Sequence, residues 1–380
     1  MLNAYSEHMD EILPGENDAR RLAVRQWIAE HPEPSARLLA ESGLVAPHWP
    51  EPYGLGADPV HQLIIDEELS AARIRRQSNQ IGIGWAAPTI IFAGTQEQKD
   101  KYLPDLATGK RRTGIGLTEP DAGTDLQGIR TTARLEGEEY VINGSKTWIT
   151  NARHADPLPV LVKTDPNASP AHKGMSVILI EAGTPGFEIG KDIGKLGYKG
   201  TESCEVILTN VRVPKGNLLG GVEGRGMQQV LSGLETGRVN IAARSVGIAQ
   251  AAYEAAINYS KERKAFGQPI SEFQAIQLKL AEIATNLQAA RLMTYWAASK
   301  ADAGERVDME AGMAKYFASE VAIMASLEAM RVHGGYGYST EYVVERLYRD
   351  APLMSIGEGT NDIMKMVIAK SLLSGKTQIG

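Results

Sequence analysis

The chain has 380 residues, of which 43% are hydrophobic and 23% charged, with a formal net charge of -6 at pH 7. That length accommodates two or three domains with a sizeable core, and an acidic balance without a long basic run argues against nucleic acid as a partner. The single cysteine, Cys204, excludes an intrachain disulfide framework and fits a reducing, cytoplasmic setting.

His and Cys show no metal-ligand spacing, no apolar run is long enough for membrane insertion, and residues 1–10 lack a basic-then-apolar signal. The first third reads as helices: 19–30, 34–42, 60–72, 73–92 and 96–106 carry apolar residues at helical spacing, with a Pro- and Gly-rich loop at 47–59. At Thr113 the period changes. Short alternating segments at 114–118, 130–135, 140–143, 146–150, 160–163, 176–181, 187–189 and 205–213 read as strands of a sandwich or barrel. From Gly226 long helical stripes return, and their short connections predict a four-helix bundle. The fold class expected is therefore α+β: an N-terminal helical domain (1–113), a middle β domain (114–222) and a C-terminal helical bundle (223–380).

Near the C-terminus, Ile356-Gly357-Glu358-Gly359-Thr360-Asn361-Asp362 sets a carboxylate between two glycines ahead of a helical pattern. Glycines permit backbone angles that other residues avoid, and Thr360 or Asn361 can cap the following helix. An acid on such a turn facing an apolar pocket has a raised pKa and suits general-base work; the plainer reading is a solvated acid at a helix start. Other features carry the same two readings. Arg238 lies on the apolar stripe with Leu234 and Ile241 and needs a partner. Trp148 and Ile149 alternate as any half-buried strand does, and Lys261-Glu262-Arg263-Lys264 is by itself a solvated helix end.

Leu117-Thr118-Glu119-Pro120-Asp121-Ala122-Gly123-Thr124-Asp125 resembles a flavin motif of the acyl-CoA dehydrogenase family, and later motifs follow in the same order and spacing. Asn143-Gly144-Ser145-Lys146-Thr147-Trp148-Ile149-Thr150-Asn151 is similar to the family's second flavin motif. Glu262-Arg263-Lys264-Ala265-Phe266-Gly267 with Phe273-Gln274 resembles the segment that reaches a neighbouring subunit's FAD. Gly334-Gly335-Tyr336-Gly337 and Ile356-Gly357-Glu358-Gly359-Thr360 complete the set, so the resemblance covers nearly the whole chain.

The resemblance implies an FAD-dependent enzyme that removes the α-proton of an acyl-CoA through Glu358 while hydride leaves the β-carbon for the flavin. The product is a trans-2-enoyl-CoA, with electrons passed to an electron-transfer flavoprotein by a homotetramer. On the same resemblance the cofactor contacts are Ile115, Leu117, Thr118, Gly123, Thr124, Trp148, Ile149 and Thr150. Arg263, Phe266, Gln274, Arg331, Gly334, Gly335, Thr360 and Asp362 complete them. Arg238 with Glu235 nearby, Thr124 and Gly359 are implied on the substrate. The family's alternative base position is occupied here by Gly237, which cannot serve. Three positions depart from the family pattern: Gly357 for a usual Tyr, Ala265 for a common Thr, and Arg331 where Gln is usual. Arg76, with Gln77 on the same helical face, falls where the glutaryl-CoA branch holds a distal carboxylate, so a dicarboxylyl or a short-chain acyl-CoA is expected. An acyl-CoA oxidase or flavin monooxygenase of the same fold, and a non-catalytic helical scaffold, are the competing readings.

Overall fold

Side-chain caps set three of the helix starts in the first third. In the computed structural model, which describes residues 14–76, 79, 81–231, 234–303 and 307–374, α1 spans Ala19–Glu30 and α2 Ala36–Glu41, the latter capped by the Ser35 hydroxyl, which accepts from the Leu38 N–H. Helix α3, Pro59–Ala71, starts with proline at its first turn and the Asp58 carboxylate as cap. The expected helix over 73–92 is interrupted. Arg73 takes φ +58° and a π-helical turn at Gly82–Ala86 leads into α4, Ala87–Ala93. The polar run Arg73-Ile74-Arg75-Arg76 has no apolar stripe to bury. Buried Asn79 instead takes hydrogen bonds from the Thr113 N–H and, at 3.1 Å, the Asn151 amide. Helix α5, Gln96–Thr108, opens with a Thr95/Gln98 capping box and closes on Gly109.

Six strands form one mixed sheet: β1 Thr132–Glu136, β2 Glu139–Thr150, β3 Leu158–Lys163, β4 Met175–Ile180, β5 Phe187–Asp192 and β6 Ser203–Pro214, in the order β4-β3-β1-β2-β6-β5. The β1–β3 pair is parallel and the others antiparallel. The two segments expected at 140–143 and 146–150 are one strand, bulged twice against β6. The stretch 114–118 makes only a bridge, Gly116 to Val160. Strands β3 and β4 are apolar without alternation because both faces are covered. Leu161, Met175, Val177 and Leu179 pack with Trp49, Ile65, Leu103 and Leu106 of the helical layer, while Val160, Val162, Ile178 and Ile180 pack with Ile142, Val206 and Val211. Helix α6, Gly226–Leu231, follows the sheet.

By internal contacts, 19–194 and 199–234 form one compact unit; 195–198, the described residues before Ala19 and the chain from Glu235 onward form a second. The second holds α7 (Leu234–Glu262), a short ribbon β7–β8 (Lys264–Ala265 and Gln268–Pro269), α8 (Gln274–Asp302), α9 (Asp308–His333), α10 (Val343–Asp350), α11 (Pro352–Ile356) and α12 (Asn361–Leu373). Helix α9 packs against α8, α10, α11 and α12, and its buried Ala311, Ala314, Ala318, Ala322, Ala325 and Ala329 let those neighbours come close. No helix among the described residues is long and apolar enough to cross a membrane.

The loop after Gly116 is anchored by a buried ion pair. Lys146 on β2, with no exposed surface, donates to Glu119 Oε1 at 2.8 Å and to the Leu117 carbonyl at 3.1 Å. Glu119 also accepts from the Arg130 and Thr131 N–H groups. Burial pushes the Glu119 carboxyl up, but Lys146 and these donors outweigh it and hold it below the usual range. Its contribution to stability is thus present above the ordinary carboxylate pKa and lost as pH falls through the depressed one. Lys146→Met strands a buried carboxylate and is expected to cost about 3–5 kcal/mol, read as a lower urea midpoint with an unchanged slope.

Candidate active site

The glutamate turn is built from unequal parts. After α11 ends at Ile356, Gly357 has φ -69° and ψ 153°, which any residue can adopt. Glu358 itself takes φ +54° and Gly359 φ +93°. Only Gly359 therefore needs glycine for its backbone; Glu358 carries a left-handed conformation that costs about 1–2 kcal/mol for a residue with a Cβ, and Gly357 simply leaves space. Thr360 then caps α12, its Oγ1 accepting from the Ile363 N–H at 3.3 Å.

The carboxylate lies against α7. A Cβ on Gly237 would stand 2.6 Å from Glu358 Oε2, so a side chain at 237 and the glutamate compete for one volume. Although the residue as a whole is half-buried, burial dominates its carboxyl and pushes the pKa up to about 7, against the opposing pull of Arg244 and then Lys315. Lys315 on α9 is fully buried; its Nζ donates to the Gly359 carbonyl at 2.8 Å and to Asn361 Oδ1 at 3.0 Å, and burial lowers its pKa to about 8. Neither Arg244 nor Lys315 was singled out from the sequence. Arg244 lies seven residues after Gly237 on α7, two helical turns along the same face. Lys315 is the one lysine inside the alanine-lined core of α9.

Arg238 is buried and its Nη1 donates to Asp308 Oδ1 at 3.2 Å, while its Nε is buried without a hydrogen-bond partner among the described residues. The bundle partner of this arginine is thus Asp308; the side chain of Glu235 lies outside the described residues. Arg263, Gly334 and Gly335 are brought together in a cleft of about 570 Å³ with Tyr259, Ile270, Val332, His333, Tyr336 and Ser339. There Tyr259 stacks on His333 at 4.1 Å, and the Arg263 guanidinium sits over the Tyr336 ring. Phe266, at φ +50° beside the ribbon, is 96% exposed, and Gln274 is exposed at the start of α8. Arg331 pairs with Glu328, which also holds Lys279. Asp362 is exposed and pairs with Lys365 at 3.5 Å.

In the sheet unit, Trp148 is not part of a plain alternation. It occupies the bulge where the β2–β6 register shifts between Lys146 and Ile149, at φ +61°, and the residue is 56% exposed. Bulges re-aim side chains in this way. Thr118 and Thr150 are half-buried, and Gly123 and Thr124 are exposed in the neighbouring turn. The side chains of Ile115, Leu117 and Ile149 are buried in the core, which leaves their backbones as the groups to meet a cofactor. Arg76 is half-buried and paired with Asp66; Gln77 lies outside the described residues. Close to Arg76, His48 is buried, which lowers its pKa to about 4 against the opposing pull of the Ile83 backbone.

Three family models match in succession: the acyl-CoA dehydrogenase N-terminal domain over residues 14–110, the middle domain over 114–211 and the C-terminal domain over 224–373. A 3-(aryl)acrylate reductase of Clostridium sporogenes is 42% identical over 352 residues, 91% of each chain. The caffeyl-CoA reductase-Etf complex subunit CarC of Acetobacterium woodii is 40% identical over 326 residues, 84% of each chain. The structure of butyryl-CoA dehydrogenase from Megasphaera elsdenii superposes with a TM-score of 0.83 at 35% identity, covering 93% of this chain and 98% of that one.

Because the Gly237 Cβ position is only 2.6 Å from the carboxylate, Gly237→Ala is expected to displace Glu358 and cut turnover at least ~10-fold. The melting temperature should stay within a few degrees, since alanine is the better helix former. Wild-type turnover in this variant would show that the carboxylate works from another position.

Proposed function

Because the chain belongs to the acyl-CoA dehydrogenase family, we propose that this oxidoreductase interconverts an acyl-CoA thioester and its trans-2-enoyl-CoA with FAD as cofactor, exchanging electrons with an electron-transfer flavoprotein. The observation that carries the reading is the Glu358 turn: a carboxyl whose pKa burial pushes up to about 7, seated against a glycine on α7. A base of that pKa is both ionised and strong enough to be useful near neutral pH. In dehydrogenation Glu358 takes the α-proton, and in reduction the same carboxyl returns it. The Glu358 backbone N–H is the proposed donor to the thioester carbonyl as negative charge develops there.

FAD, when bound, supplies the hydride acceptor or donor for the β-carbon. The residues present suit it. The indole of Trp148, turned outward by its bulge, offers a face for a flat ring, with Thr118 and Thr150 as hydrogen-bonding groups. The Arg263 cleft offers a guanidinium suited to a pyrophosphate, which on the family pattern belongs to a neighbouring subunit of a homotetramer. For the CoA moiety the proposed partner is Arg238, whose buried Nε has no hydrogen-bond partner among the described residues.

A second reading concerns direction and acyl group. Two of the relatives named above are reductases, one of aryl acrylates and one of a caffeyl thioester. Here Gly357 leaves a volume open beside the base, where an added Cβ would meet only Leu353, at 3.4 Å or more. This supports a bulky enoyl-CoA reduced in the physiological direction. Asp66 already balances Arg76, which weakens the case for a distal substrate carboxylate there.

Two measurements test the proposal. Glu358→Gln keeps size but not basicity, so turnover against a panel of saturated and enoyl-CoAs should fall at least ~10²-fold with flavin absorbance retained; near-normal turnover would move the base elsewhere. Arg263→Ala should lose FAD and loosen the oligomer, because a buried phosphate loses its counter-charge. A fully flavinylated variant of unchanged size in solution would argue against that role.

A further inference from the structure

We propose that Lys315 is a positioning residue for the base: its buried ammonium pins the carbonyl of Gly359 and faces Glu358, setting both the direction and the charge of the carboxylate. The inference rests on Glu358 being the base and goes beyond it.

The geometry is specific. Lys315 has no exposed surface and is flanked on the buried face of α9 by small residues, Ala311, Gly312, Ala314, Ala318 and Ser319. An ammonium is costly to bury unless its protons are satisfied. One proton goes to the Gly359 carbonyl at 2.8 Å, directly after the glutamate, and another to Asn361 Oδ1 at 3.0 Å, directly after the cap. Asn361 is in turn fixed from α9: its amide donates to Glu320 Oε1 at 2.7 Å and to Ser319 Oγ at 3.0 Å. The segment that follows the left-handed Glu358 is thereby tied to α9 at two points through one cation. A lysine needed only to join two helices could bond any carbonyl of α12; this one bonds the turn.

Among the described residues the charges around the pair are few. Glu358 is faced by Arg244 from α7 and Lys315 from α9, and Lys315 by Glu358, Arg238 from α7 and Glu320 from its own helix. Neighbouring ionisable groups are paired elsewhere: Asp308 with Arg238, Glu310 with Lys300 of α8, and Asp362 with Lys365 on α12. Burial raises the carboxyl and Lys315 opposes it, so removing the cation must move the glutamate titration upward. A purely architectural lysine would not do this.

The test uses the flavin-loaded protein and the acyl-CoA of the panel that it turns over fastest, with kcat/KM followed from pH 5.5 to 9.5. Wild type should rise through an acid limb near pH 7. Lys315→Gln, which keeps a donor but loses the charge, should move that limb up by about one pH unit and lower kcat/KM about fivefold at pH 7, recovering above pH 8.5. Lys315→Arg, which keeps the charge, should leave the limb near its wild-type position. A limb unmoved in Lys315→Gln, with turnover lowered evenly at every pH, would overturn the proposal. If Lys315→Gln does not yield folded protein, Asn361→Ala removes one of the two acceptors; a smaller shift in the same direction supports the role and an unmoved limb overturns it. The Glu358→Gln profile separates the two ideas. Loss of the limb there leaves the base in place whatever Lys315 does, whereas an intact limb sinks the base itself.

Discussion

A carboxylate can take a weakly acidic C–H proton near neutral pH only if it is kept from water, and keeping it from water works against the fold. Burial raises the Glu358 pKa to about 7, so the native state favours its protonated form. That contribution to stability is complete below the ordinary carboxylate pKa and is lost as pH rises through about 7. At neutral pH the bundle therefore carries a destabilised acid on a left-handed residue. The surrounding structure limits the cost: Arg244 and Lys315 supply opposing charge, Gly359 takes the second positive φ, and Thr360 turns the strained segment into a capped helix.

The two units solve a similar problem in the same way. In the sheet unit Lys146 is fully buried and donates to the Leu117 carbonyl; in the bundle Lys315 is fully buried and donates to the Gly359 carbonyl. Burial lowers both to about 8, and a carboxylate opposes the shift in each case, Glu119 for one and Glu358 for the other. Each carbonyl belongs to a segment where ligand contacts are proposed. A buried ammonium is a compact way to hold an irregular segment, because it satisfies backbone oxygens that no helix or strand partner reaches.

Much of the architecture was legible along the chain. Helix α1 begins and ends where its apolar period does, and β3, β4 and β6 lie within a residue or two of the segments that alternation or apolar runs marked out. Thr360, one of two residues whose type suited the cap of the last helix, is the one that caps it. The failures have a common cause. The 73–92 segment broke because Asn79 bonds to Thr113 and Asn151, which are distant in sequence. The two short segments at 140–150 became one bulged strand because the partner β6 determines the register.

The amino-acid sequence by itself determined the order of helical and β segments, the helix caps, and the placing of one acid between two glycines. These follow from local periodicity and from side chains that bond their own backbone neighbours. Only the tertiary structure decided that Glu358, and not a solvated stand-in for it, is a perturbed group. That required α7 to present Gly237 against the carboxylate, and α9 to bring Lys315 beneath the turn from 43 positions away. Desolvation and charge pairing are properties of what surrounds a residue in space, and neighbours along the chain do not report them.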